Sequence, residues 1–336
     1  MTSIEIVRRA LHFQNPPRLP VSFSALGVSD FGNAGFVFPK EKQMHPAVDQ
    51  WGCRWERTDM KNMGQVKGHP ITDFRRIDAY PMPDYTQDWW WTETAAALPP
   101  HEEKGRYVRG GIFMVLFERM HTLCGFENVL MGLLTERPAM ERLADRIVDT
   151  HVELVRQYSR RFGRRVSGIS MTDDWGTQNA AFISFDLWMD FFAPRYKRLF
   201  DAMHGAGYDV FLHSCGKVNE LIEGFIRVGV DAVDLQQPRA LGIEEVGRRY
   251  RGRICFHSLA DIQATLPTGR ADLIAADADA LAEHWMNPRG GFIFADYGDG
   301  EAIGAPLPAK LRMYQEFSRV SERIYGQPLP PLPPPG

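Results

Sequence analysis

Apolar positions along this chain follow two periods, and the switch between them marks its elements. In the C-terminal half, short apolar runs alternate with longer stretches of helical spacing. Residues 166–171 form a predicted strand that ends at Thr172-Asp173-Asp174. Helical spacing follows over 187–203, with Pro194 as the expected break or kink. The pattern then repeats, with strands over 208–212, 229–235, 253–256 and 290–295 and helices over 218–228, 243–250, 271–285 and 307–325. Repeated β-then-α units predict parallel strands joined by helical crossovers. An α/β fold of the (β/α)8 TIM-barrel type suits the length of 336 residues, with an open doubly wound sheet as the alternative. No G-x-G-x-x-G or Walker loop follows a predicted strand, which argues against a dinucleotide or nucleotide fold.

Residues 1–110 read differently. Prolines from Pro16 to Pro100 punctuate them, and aromatic residues are dense, including Phe23, Phe31, Trp51, Trp55 and the triplet Trp89-Trp90-Trp91. An irregular, aromatic- and Pro-rich segment that wraps or caps the barrel is expected. Residues 1–326 then form one domain, and 327–336 form a Pro-rich, extended, poorly ordered tail. The Trp triplet suits loop packing; a substrate-facing aromatic wall is the sharper reading.

Composition narrows the class. The chain is 44% hydrophobic and 24% charged, which suits a globular protein with a sizeable core. A net charge of -3 offers no electrostatic case for nucleic acid. No apolar run approaches the ~20 residues of a membrane span. Residues 1–9 are polar, unlike a secretory signal. Cys53, Cys124, Cys215 and Cys255 lie too far apart for a disulfide framework. A reduced, cytoplasmic protein is expected.

The most informative chemistry is His213-Ser214-Cys215-Gly216, at the end of a buried strand. Period-2 alternation puts Phe211, His213 and Cys215 on one face. Imidazole and thiolate there can reach one metal ion, and both are good zinc ligands. The plainer reading makes Cys215 a small hydrophobe and His213 a hydrogen-bonded core residue. The predicted strand ends also collect Asp173, Asp174, Asp234, Gln236, Gln237, His257, Asp261 and Asp296. About half suit helix capping and rim solvation. Asp173 and Asp174 are the stronger catalytic candidates, because paired carboxylates repel unless a cation or a shared proton offsets them.

In this order the blocks resemble the uroporphyrinogen decarboxylase superfamily, and within it the corrinoid- and zinc-dependent methyltransferase-like branch. The resemblance rests on Arg9-Ala10-Leu11 with Pro17-Arg18-Leu19-Pro20-Val21, Asp49-Gln50-Trp51-Gly52-Cys53, Phe117-Glu118-Arg119, Asp173-Asp174-Trp175-Gly176, His213-Ser214-Cys215-Gly216-Lys217 and Gly290-Gly291-Phe292-Ile293. It implies a (β/α)8 barrel with its site at the strand C-termini. It implies zinc held by His213 and Cys215, and a corrinoid (cobalamin) carried by a separate protein. It also suggests a homodimer.

Two departures refine this. True uroporphyrinogen decarboxylases carry an Arg-rich motif after the opening block, whereas residues 23–31 here contain no Arg. That speaks against a porphyrin polycarboxylate. Thiol-methylating relatives take a third zinc ligand, a Cys, from the last loop, but residues 296–301 contain none. Asp296 is the expected substitute, with Glu301, His257 and Cys255 as rivals. The expected site is therefore His213, Cys215 and Asp296 for metal and Asp173 and Asp174 for proton handling. Glu118, Gln237, His257 and Tyr297 are expected on the substrate. The expected activity is methyl transfer between a small methylated donor, or a thiol acceptor, and the corrinoid protein. The alternatives are a cofactor-free decarboxylase using Arg18, Arg119 or Arg239, and a catalytically inactive ligand-binding relative.

Overall fold

The computed structural model describes residues 1–23, 26–36, 48–56 and 64–333. Its strands are β1 (Val21–Phe23), β2 (Val28–Ser29), β3 (Phe31–Phe36), β4 (Arg54–Glu56), β5 (Gln65–Gly68), β6 (Tyr107–Ile112), β7 (Gly168–Thr172), β8 (Asp209–His213), β9 (Ala232–Asp234), β10 (Cys255–Ser258) and β11 (Phe292–Ala295). Strands β1, β3 and β6 to β11 lie parallel in one sheet and follow each other in chain order. The last strand, β11, pairs with β1. Between β1 and β3 the short antiparallel β2 lies against β1, and Asp30 N donates to Val21 O at 2.8 Å. This is a nearly closed (β/α)8 barrel, and the β1–β11 pairing removes the open-sheet alternative.

Two hydrophobic layers hold it. Phe31, Tyr107, Phe211, Ala232, Cys255 and Ile293 fill the barrel interior, and Val7 and Leu11 of the helix Ser3–Leu11 pack against them. A larger core lies between the sheet and the surrounding helices. Cys255 belongs to the interior layer and is fully buried, so it is a packing residue and no rival metal ligand.

Helix bounds over Ile243–Tyr250 and Leu307–Tyr325 coincide with the hydrophobic periodicity. Pro194 does not break its helix. It lies inside an unbroken helical run from Phe185 to Gly205, directly after a π-turn over Trp188–Phe192, so the expected break takes the form of a local change of pitch.

The N-terminal segment does more than wrap, because it supplies barrel strands β1 and β3. Its Trp triplet packs away from the cavity. Trp91 meets Tyr158 edge-on and Phe162 at a tilt, and the half-exposed Trp89 stacks on Trp90. The tail is not free over residues 327–333. Gly326, at φ +89°, reverses the chain, Leu329 is buried, and its N–H donates to Ser318 Oγ at 3.2 Å. The expected poorly ordered tail is thus corrected over these residues, since its leucines find apolar cover. Residues 334–336 lie outside the described residues.

Candidate functional site

Register builds the mouth of the barrel. Thr172 pairs with His213, His213 with Asp234, and Asp234 with His257, so one row crosses four neighbouring strands. Side chains in such a row point the same way. Asp234 therefore stands between two imidazoles, with Oδ2 at 3.1 Å from His213 Nδ1 and Oδ1 at 3.0 Å from His257 Nδ1. Burial opposes its charge, but His257 and His213 hold the Asp234 carboxyl well below the usual range. Against burial, Asp234 and Cys215 in turn raise the pKa of His213.

With Nδ1 held, His213 turns Nε2 toward Cys215 Sγ, 3.2 Å away, and toward Asp174 Oδ1 at 3.6 Å. Ligand atoms of Asp174, His213 and Cys215 all lie within 4.8 Å of one another. Two turns make this possible. Gly216 takes φ +82°, and a Cβ there would meet Gly176 O at 2.2 Å. The turn after β7 therefore packs backbone to backbone on the turn after β8. Cys215 N donates to Asp174 Oδ1 at 2.8 Å, and Lys217 N to Thr177 O at 2.8 Å.

One nitrogen, one sulfur and one carboxylate oxygen form a zinc-type donor set. The carboxylate on the remote imidazole nitrogen is the usual support of a metal-bound His. The residues present fit a zinc ion. Asp174, not Asp296, is the carboxylate brought to His213 and Cys215. Asp296 is buried beside Lys310 Nζ at 3.0 Å.

The group opens into a cavity of about 470 Å³. Asp174, His213, Cys215, Glu118, His257, Asp296 and Tyr297 line it, as expected of a site at the strand C-termini. Gln237 does not; its Oε1 accepts from Gly216 N at 2.9 Å, so it braces the loop that carries Cys215. Asp173 does not line it either. It is fully buried and accepts from the N–H groups of Leu116, Phe117 and Glu118 at 3.1, 2.9 and 2.6 Å, and from Tyr196 Oη. It caps the helix Phe117–Cys124. The catalytic role expected for Asp173 gives way to this cap.

Glu118 is 8% exposed, and its Oε2 has no hydrogen-bond partner among the described residues. Burial, with Asp174 and Asp173 nearby, pushes its pKa up to about 8. His257 Nε2 is likewise buried without a partner. Both offer polar atoms to whatever fills the cavity.

The three arginines considered for a carboxylate are engaged elsewhere. Arg18 clamps Asp30 at 2.7 Å, Arg119 meets Asp49 at 3.1 Å, and Arg239 meets Asp277 at 2.6 Å. The cavity's arginine is Arg109 of β6, which the sequence reading missed. Its one available signal is a cation at an inward position of an otherwise apolar and glycine strand, Tyr107-Val108-Arg109-Gly110-Gly111-Ile112.

A parallel eight-stranded barrel with a candidate metal centre at its C-terminal mouth defines a class of enzyme folds. The family model of uroporphyrinogen decarboxylase (URO-D) matches residues 59–295, and the chain belongs to this family. No curated protein matches its sequence. Among solved structures it resembles a methyltransferase from Methanosarcina mazei, with 14% identity, TM-score 0.72, and coverage of 95% of this chain and 99% of the other. That likeness shows the fold. An intracellular xylanase from Thermoanaerobacterium saccharolyticum has 9% identity and TM-score 0.40, covering 82% of this chain and 88% of its own, and bears on nothing further. No helix among the described residues is long and apolar enough to cross a membrane.

Proposed function

We propose that this protein is a zinc-dependent methyltransferase, moving a methyl group between a small methylated substrate, or a thiol, and a corrinoid carried by a separate protein. The observation that carries this reading is the convergence of Asp174, His213 and Cys215 within 4.8 Å at the cavity mouth. Bound there, zinc supplies a Lewis acid for a substrate heteroatom or thiol. Membership of the URO-D family and the fold shared with the Methanosarcina mazei methyltransferase agree with it.

The protein's own residues divide the work. With a metal bound, Asp234 would accept from His213 Nδ1–H and leave Nε2 as the ligand atom. Gln237 and the Gly176–Gly216 contact hold the loop that carries Cys215. Glu118 faces the cavity in its protonated form at neutral pH. When a methyl group leaves an oxygen or nitrogen, that atom keeps the bonding pair and needs a proton, which Glu118 supplies from its carboxyl. In the thiol direction the thiol's proton needs an acceptor, which Glu118 provides only where its carboxyl is ionised. A shell with one thiolate and one carboxylate is less electron-rich than one with two thiolates. This favours demethylation of an oxygen or nitrogen substrate over thiol methylation.

The test is metal analysis of the wild-type protein and of Cys215→Ala, followed by methyl-transfer assays with corrinoid proteins. About one zinc per chain, lost in the variant, is the expected result. Metal-free wild-type protein, with Cys215→Ala as active as wild type, would overturn the proposal.

A further inference from the structure

Arg109 is a cavity cation that, among the described residues, no ion pair accounts for. It leaves β6 toward the barrel axis and lines the cavity that holds Asp174, His213 and Cys215. Its guanidinium lies over Phe31 at 4.5 Å and Phe211 at 5.3 Å, both part of the interior layer. It therefore sits on the cavity floor, while the donor group stands at the strand ends. Its hydrogen bond to Ser22 Oγ is long, at 3.4 Å, and among the described residues it makes no ion pair. Arg18, Arg119, Arg195 and Arg239 all pair with carboxylates. Asp234 lines the same cavity and attracts Arg109 without reaching ion-pair distance, so this half-buried cation gains from a ligand that brings a negative charge into contact. The guanidinium edge carries that one long bond to Ser22, and the edge is the part that grips a carboxylate through two parallel bonds.

We propose that Arg109 is the anion receptor of this cavity and that the substrate is a small monocarboxylate, bound by its acid group on Arg109 with its methyl-bearing end toward Asp174, His213 and Cys215. The methyl-bearing end rests on the methyltransferase reading; the acid end does not. A single negative charge suits the surroundings. Asp174 and Asp234 line the same walls, so a dianion such as phosphate meets repulsion that one guanidinium does not offset. The acid is an anchor and not the reacting group, because an arginine clamp stabilises the carboxylate ground state and opposes its loss as carbon dioxide.

The test compares acids with their neutral isosteres. Calorimetry on the full-length protein uses the methoxybenzoate isomers, their primary amides, and inorganic phosphate. At least one acid is expected to bind wild type about tenfold or more tightly than its amide, as a charge-assisted pair requires. Arg109→Gln should abolish that preference while leaving zinc content unchanged, and Arg109→Lys should restore part of it. If Arg109→Gln does not fold, the wild-type acid-to-amide ratio and its reduction in Arg109→Lys carry the test. Equal binding of acids and amides, an acid preference that survives in Arg109→Gln, tighter binding of phosphate, or no acid bound at millimolar concentration would each overturn the proposal. Loss of the acid preference without any methyl transfer refutes the methyltransferase reading alone. Methyl transfer from neutral substrates, indifferent to Arg109, refutes the anion receptor alone.

Discussion

Asp234 Oδ2 lies 3.1 Å from His213 Nδ1, and this contact decides which face of the imidazole the donor group receives. It exists because β8 and β9 are in register at these two residues. Asp234→Asn weakens the hold on the tautomer without changing the shape of the side chain. Zinc affinity in a competitive chelator titration should fall about 10- to 100-fold. Asp174→Ala should lower it at least as much, whereas Asp296→Asn should leave it unchanged, because Asp296 pairs with Lys310. Zinc lost from Asp296→Asn but kept in Asp174→Ala would restore Asp296 as the third ligand.

The approach of Gly216 to Gly176 makes the two glycines a structural requirement of the donor group. Gly216→Ala adds a Cβ at φ +82°, 2.2 Å from a carbonyl oxygen. The left-handed backbone alone costs an alanine about 1–2 kcal/mol, and the clash adds to it. Urea denaturation should show that loss together with weakened zinc binding. Gly205→Ala is the control. No atom lies within 4 Å of its added Cβ, and a helical Gly→Ala change should be neutral or stabilising by about 0.5–1 kcal/mol.

Asp173 is expected to act on stability. Asp173→Ala strips three backbone N–H groups and Tyr196 Oη of their acceptor in a fully buried place. A loss of about 3 kcal/mol or more in denaturant unfolding is expected, or outright failure to fold. A variant of unchanged stability that has lost turnover alone would return Asp173 to the catalytic list.

Glu118 predicts a pH dependence whose sign follows from its burial. Its folded pKa, about 8, lies above the ordinary 4.5. Between those values the folded state binds a proton that the unfolded state releases, so this group makes stability fall as pH rises, and the fall levels off above about 8. Metal-free wild type measured against Glu118→Gln should show that slope, and the variant should lack it. Demethylation by the zinc-loaded enzyme should likewise decline on an alkaline limb as the Glu118 carboxyl ionises, with no such limb in Glu118→Gln. Superimposable pH profiles would show that Glu118 handles no proton.

Much of the fold could be read along the chain. The alternation of apolar runs and helical stretches predicts strands at β7 to β11 and both helices Ile243–Tyr250 and Leu307–Tyr325, since burial of one helix face or one strand imposes its period locally. Barrel strands β1, β3 and β6 were hidden. β1 has three residues beside Pro16, Pro17 and Pro20, and the glycines inside β3 and β6 break their period.

The site divides along the same line. His213 and Cys215 announce themselves because their spacing, two residues apart on one strand and turn, is a local property. Asp174 and Asp296 look alike in sequence, each an acid after an apolar run. Choosing between them took the Gly176–Gly216 contact and the Lys310 ion pair, which join segments far apart in the chain. Asp173 and Asp174 are neighbours with opposite fates, because consecutive side chains face opposite ways and only one of them meets a helix N-terminus. Arg109 became visible once the register of β3, β6 and β8 set it above Phe31 and Phe211. Local periodicity and spacing therefore reach a parallel β/α fold and single out His213 and Cys215. The place of Asp174 beside them, the Asp173 cap and the half-buried Arg109 depend on contacts between distant strands, which one-dimensional patterning does not encode.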